Sequence, residues 1–90
     1  MGVVSGIVSV IRYDVTAKGQ SNHAGTTMME NRRDALVGMS KLIVAAEEDA
    51  RRLSDTLVFT VGKMQVLPGQ ENVIPGEVKA TFEMRHMDKA

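Results

Sequence analysis

Ninety residues with eleven basic and eleven acidic side chains carry no net charge, which excludes a field able to draw in nucleic acid or an anionic membrane. The apolar fraction of 43% is globular, yet with Tyr13, Phe59 and Phe82 as its aromatics and seven methionines the core is lean. A domain of this size buries roughly 60–65% of its unfolded surface, so a partner surface is expected to help stabilise it.

The absence of cysteine rules out disulfides, thiol nucleophiles and thiolate zinc sites. No Lys/Arg patch is interleaved with aromatics, which again argues against nucleic acid. The opening MGVVSGIVSVIR has no basic region ahead of its apolar run, and Ser5, Gly6 and Ser9 break that run. It reads as a strand and not as a signal peptide. Position 6 is Gly where a myristoylation motif wants Ser or Thr. No stretch approaches the roughly 18 apolar residues that span a bilayer. The expectation is a cytoplasmic chain with no membrane partner.

Residues 3–18 are rich in β-branched types. From Ile11 the alternation is clean, with Ile11, Tyr13, Val15 and Ala17 on one face and Arg12, Asp14, Thr16 and Lys18 on the other. That is a strand with one wet face. Gly6 and Ser9 blur the pattern, which marks either a bulge or a chain crossing in from elsewhere. The next stretch, GQSNHAGTTMMENRRDAL (Gly19 to Leu36), turns through small and polar residues into the one helical pattern. It places His23 where a strand gives way to a helix, on a rim from which rigid elements can aim it at a ligand.

The helix is predicted from Asn31 to Leu53, on the spacing of Ala35, Leu36, Met39, Leu42, Ile43, Ala46, Ala50 and Leu53. Thr26, Thr27 or Asn31 would cap it and Glu30 would favour its N-terminal dipole. Glu47–Arg51 and Glu48–Arg52 are i,i+4 pairs on a solvated face. Gly38, costly in a helix interior, suggests close approach to the sheet or another helix.

Ser54-Asp55 ends the helix and a second strand follows from Thr56 to Leu67. Leu57, Phe59 and Val61 share a face, but beyond Gly62 the apolar positions are Met64 and Val66. That phase flip at a glycine predicts a bulge or bend. Pro68 to Asn72 is turn chemistry. After Pro75-Gly76 a third strand points Val78, Ala80, Phe82 and Met84 one way and Glu77, Lys79, Thr81, Glu83 and Arg85 the other.

The order is β-α-β-β, with no repeat or linker. It predicts an α+β two-layer sandwich, the β-α-β-β portion of a ferredoxin-like fold, with one long helix on an antiparallel sheet. Residues 1–90 form a single, partial domain. The first and third strands should be adjacent and antiparallel. The first strand then becomes an unpaired edge, and part of the helix-side face stays uncovered, so such a chain should self-associate.

A self-sufficient active site is not legible. A hydrolytic metal centre needs three or more convergent ligands. His23 and His86 fall at opposite ends of the predicted sheet, and no H-x-H, H-x-x-x-H or D-x-D pattern occurs. No metal ligand is assigned. There is neither a nucleophile elbow nor a phosphate loop. What remains is ligand contact. His23 can donate to or accept from a carbonyl or carboxylate, Asn72 offers an amide, and Arg85 suits a bidentate grip on a carboxylate. Each has a plainer reading: a polar rim residue, a turn former, and a solvated partner of Glu83.

HAGTT with Met29, Glu30 and RDAL (His23 to Leu36), TVGKMQVLPGQENVIPGEV (Thr60 to Val78) and FEMRH (Phe82 to His86) stand in this order across nearly the whole chain. Together they resemble the lid and dimerisation domain of the allantoate amidohydrolase and N-carbamoyl-L-amino-acid hydrolase family, within the di-metal aminoacylases and carboxypeptidases. Met28 stands where that family usually has Pro, which would favour a first helical turn. Glu83 stands where it usually has Asp.

The resemblance implies that His23 bonds the scissile carbonyl oxygen as it becomes an oxyanion. It also implies that Asn72 helps hold the substrate and Arg85 clamps its carboxylate. It implies two divalent metal ions of the Zn/Mn/Co/Ni class and a general-base glutamate, all in a separate catalytic domain absent from these ninety residues. This chain alone is therefore expected to be inactive.

At about 3.3 Å per residue, Asn72 and Arg85 lie at opposite ends of the third strand, with His23 near Asn72. One copy cannot wrap all three around a small substrate. Two copies about a two-fold axis could, which agrees with a homo-oligomer, a dimer first of all, acting on a small carboxylate substrate. The reading is a lid and dimerisation piece of a longer ureido or N-carbamoyl amidohydrolase. Its rivals are a free-standing homodimerising module without catalysis and a small regulatory ligand-binding domain.

Overall fold

The computed structural model describes residues 7–53 and 55–87. The expected strand start at residue 3, the irregularity at Gly6 and the helix stop at Ser54 lie outside the described residues. Three strands and one helix follow in the order β1 (Ile7–Lys18), α1 (Ala35–Leu53), β2 (Leu57–Leu67) and β3 (Glu77–Met87). A 3-10 turn at Met29–Asn31 precedes the helix.

The sheet is antiparallel in the order β1-β3-β2. β1 lies beside β3 as expected, and the α+β two-layer architecture stands. The helix-side face of β3 supplies Val78, Ala80 and Phe82, all buried. Their partners Ala17, Val15 and Tyr13 on β1, and Val66, Met64 and Val61 on β2, share that face.

The β2 side keeps this alignment through a register shift between Val61 and Lys63, where Gly62 is the extra residue. The phase flip in the sequence is thus a bulge. A second irregularity falls between Ile7 and Ser9 on β1. Phe59 meets Phe82 edge to face, with ring centroids 5.3 Å apart and an interplanar angle of 85°, a geometry that aromatic quadrupoles favour.

Helix α1 lays Ala35, Met39 and Ala50 on this face, with Leu36 and Ile43 packed beside them. It leans towards β2. Ile11 and Tyr13 on β1 point to the same side but stay 47% and 50% exposed. The uncovered strip expected beside the edge strand is therefore present. The Cα radius of gyration is 17.2 Å and the long dimension is 60 Å, whereas a compact chain of this length would have a radius of about 12 Å. The chain is an arm with a thin core.

Several helix expectations are corrected. The α-helix begins at Ala35, not Asn31, and its cap is Asp34 rather than Thr26, Thr27 or Asn31. The Asp34 carboxylate accepts from the amides of Leu36 (2.9 Å) and Val37 (3.2 Å). Glu30 lies in the 3-10 turn, and the first turn of α1 holds no acidic residue. The later start follows from tertiary contacts. The Gln20 amide bonds the Arg33 carbonyl at 2.8 Å, and the Ala35 amide bonds the Pro75 carbonyl at 2.9 Å. These draw the chain out of helical shape until Asp34.

Gly38 is exposed, with open space where a Cβ would go, so close approach to the sheet of its own copy does not explain it. Leu42 and Leu53 lie off the buried stripe, and Leu53 is 72% exposed. Glu47 pairs with Arg51 at 3.0 Å as expected, while Arg52 pairs with Asp49 rather than Glu48.

Candidate functional site

Two crossings of the chain build the His23 end of the molecule. Segment 22–24 lies antiparallel to segment 72–74. His23 bridges to Val73, the Ala24 amide donates to the Asn72 carbonyl (2.9 Å), and the Ile74 amide donates to the Asn22 carbonyl (2.8 Å). Ile74 is buried beneath this crossing. Beside it the Gly19 amide reaches the Gly76 carbonyl at 2.8 Å. A Cβ at Gly19 would run into the Arg33 carbonyl, so only glycine lets the strands and the helix approach meet here.

The turn after His23 is closed by side chains. The Thr27 hydroxyl donates to the His23 carbonyl at 2.7 Å. Arg32 folds back over the turn, its guanidinium donating to the Ala24 carbonyl (2.6 Å) and the Thr27 carbonyl (3.0 Å). Hydrogen bonds from a charged donor contribute about 1.5–3 kcal/mol each, enough to make this short turn a fixed platform. On it the exposed His23 ring accepts at Nδ1 from the Gly25 amide, 3.0 Å away. Met28 has φ −65°, the value a proline ring would impose. The methionine therefore keeps the backbone shape that proline would give, and no helix start is loosened there.

Arg85 lies far from this platform. It is half-buried on the polar sheet face, between Val10 and Val58 in register. Its Nε and one terminal nitrogen donate to the two oxygens of Glu83 (3.0 and 3.1 Å), and Arg12 donates to the same carboxylate at 2.9 Å. The hydrogen bonds from Arg85, then those from Arg12, hold the Glu83 carboxyl below the usual carboxylate range. From Glu77 to Arg85 the strand runs about 26 Å, at about 3.3 Å per residue.

The fold thus brings His23 and Asn72 together and keeps Arg85 apart. His86, beyond it, lies 3.1 Å from the Thr56 hydroxyl through Nε2. Among the described residues, no group of three or more His, Asp or Glu could hold a metal ion. Arg32 escaped the sequence reading because nothing in the pair Arg32-Arg33 tells which arginine turns inward.

Residues 6–90 match the peptidase dimerisation domain family. The chain belongs to this family. Among curated relatives, it is 46% identical over its whole length to allantoate amidohydrolase of Escherichia coli K12, covering 22% of that protein. It is 42% identical over 94% of its length to N-carbamoyl-L-amino-acid amidohydrolase of Paenarthrobacter aurescens, covering 21%. A crystal structure of a putative amidohydrolase/peptidase from Burkholderia cenocepacia superposes with a TM-score of 0.86 at 41% identity, over 94% of this chain and 21% of that one.

The chain spans about a fifth of the length of the curated relatives it matches. The family's description names dimerisation, in agreement with the exposed edge strand and the uncovered strip at Ile11 and Tyr13. Among the described residues no helix is long and apolar enough to cross a membrane.

Proposed function

We propose that this chain is the lid and dimerisation segment of a metal-dependent amidohydrolase that cleaves a ureido or N-carbamoyl C–N bond, with allantoate or an N-carbamoyl amino acid as substrate. The observation that carries the reading is the likeness to allantoate amidohydrolase along all ninety residues. It fits a site whose described residues offer binding groups without a metal cluster. Two divalent metal ions would be held by residues outside these ninety.

In this reading His23 hydrogen-bonds the substrate carbonyl oxygen and follows it as negative charge develops there, so it binds the transition state better than the ground state. Asn72, beside it, contributes an amide contact. Arg85 grips the substrate carboxylate, exchanging part of its bond to Glu83 for the ligand. The length of β3 keeps His23 and Arg85 of one copy from sharing a substrate, so each site takes His23 and Asn72 from one protomer and Arg85 from its partner.

The test is complementation in the complete enzyme. His23→Ala should lower kcat by about 10² to 10³, the usual loss for an oxyanion donor, and Arg85→Ala should chiefly raise KM. Mixing the two impaired variants and allowing subunit exchange should restore turnover, because one site of each heterodimer is intact. Exchanged heterodimers with no gain over the two parent variants would overturn the shared site.

A further inference from the structure

Among the described residues the His23 ring has one hydrogen-bond partner, the Gly25 amide, and that bond restricts its chemistry. A backbone amide can only donate, so Nδ1, 3.0 Å from the Gly25 nitrogen, must present a lone pair. In neutral imidazole the proton then sits on Nε2. A ligand that approaches Nε2 meets a donor, the polarity a carbonyl oxygen or oxyanion requires.

Two residues hold this arrangement. Gly25 lies between Ala24 and Thr27, and the Arg32 guanidinium pins both of their carbonyls. Its backbone is outside the left-handed region, so conformational freedom does not explain the glycine. Room does: a Cβ there would stand 3.1 Å from Cε1 and 3.4 Å from Nδ1 of His23. A methyl group would press on the ring and tilt it off the amide.

We infer that Arg32 and Gly25 are positioning residues that fix His23 as the Nε2–H tautomer, a ready donor to the substrate carbonyl oxygen. The acceptor's identity rests on the proposed function, whereas the tautomer and its supports do not.

Long-range proton–nitrogen correlation spectra of the imidazoles, recorded on the full chain at a pH where they are neutral, read the tautomer directly. His86 serves as the internal comparison. The expected result is a protonated Nε2 and an unprotonated Nδ1 for His23. Gly25→Ala and Arg32→Ala should each move His23 towards a mixture of tautomers, leaving His86 and the strand amides in place. Arg32→Lys, which returns one charged donor, should recover part of the shift.

A protonated Nδ1 in the unmodified chain would overturn the inference. So would an unchanged His23 spectrum in both alanine variants. Should Arg32→Ala lose its dispersed strand amides, Gly25→Ala and Arg32→Lys decide the outcome by the same criterion.

In the complete enzyme, Arg32→Ala should cost about tenfold to a hundredfold in kcat, as a misplaced contact group does. It should cost nothing further in a His23→Ala background. A full additional loss there would show that Arg32 acts independently of His23. Because the spectra contain no substrate, they decide the positioning role even if no carbamoyl compound is turned over.

Discussion

At the Glu77 end of β3 the structure is held by backbone. Gly19 bonds Gly76, Ala24 bonds Asn72 and Ile74 bonds Asn22, and a buried isoleucine lies beneath them. At the Met87 end β3 is laddered to β1 and β2 as well, but no loop crossing closes over it; there Arg12 and Arg85 converge on Glu83, with half-exposed Ile11 and Tyr13 on the opposite face. Backbone bonds inside a close-packed crossing leave little freedom. Ion pairs that are only partly covered are worth little and exchange readily. The first end is therefore a finished platform, and the second keeps more of its charged and apolar surface exposed.

Changes at the platform should accordingly cost more than changes at the open end. Gly19→Ala has the largest expected effect, since the new methyl group collides with the Arg33 carbonyl. A loss of about 3 kcal/mol, at the upper end for overpacking, is expected in urea unfolding of the chain. Asp34→Ala removes the helix cap that Leu36 and Val37 use and should cost about 1 kcal/mol in the same measurement.

Glu83→Gln at the open end should change stability least, and its signature is pH dependence. The folded-state pKa of Glu83 is lowered, so its contribution is present above the ordinary carboxylate pKa. That contribution is lost as pH falls through the depressed value. Acid unfolding of the unmodified chain should show this loss, and Glu83→Gln should flatten that part of the curve. A Glu83→Gln loss at neutral pH larger than that of Gly19→Ala would reverse the contrast between the ends.

The sequence disclosed what depends on periodicity and hid what depends on tertiary contact. Alternation along Ile11–Lys18 and Val78–Arg85 was enough to find both strands, the ferredoxin-like order set β1 beside β3, and the break at Gly62 was enough to place the bulge. The helix start was not legible, because Arg32, Gln20 and Pro75 hold residues 24–34 through bonds that no local pattern announces. Gly38 misled about the sheet for the opposite reason: nothing in its own copy approaches a Cβ there. His23, Asn72 and Arg85 could be picked out by residue type and by resemblance. The device beneath His23 required knowing which way one arginine turns.

Gly62 has a consequence for how such a chain can change length. Val61 faces Phe82 and Lys63 faces Thr81, so the glycine alone stands outside the alternation of β2. A gene that lost this codon would leave Leu57, Phe59, Val61, Met64 and Val66 in unbroken alternation, all on the helix side. Deletion elsewhere within the paired strand would turn every residue on one side of the cut to the wrong face. Lineages can therefore gain or shed a residue at that point while the inside and outside of the arm keep their identities.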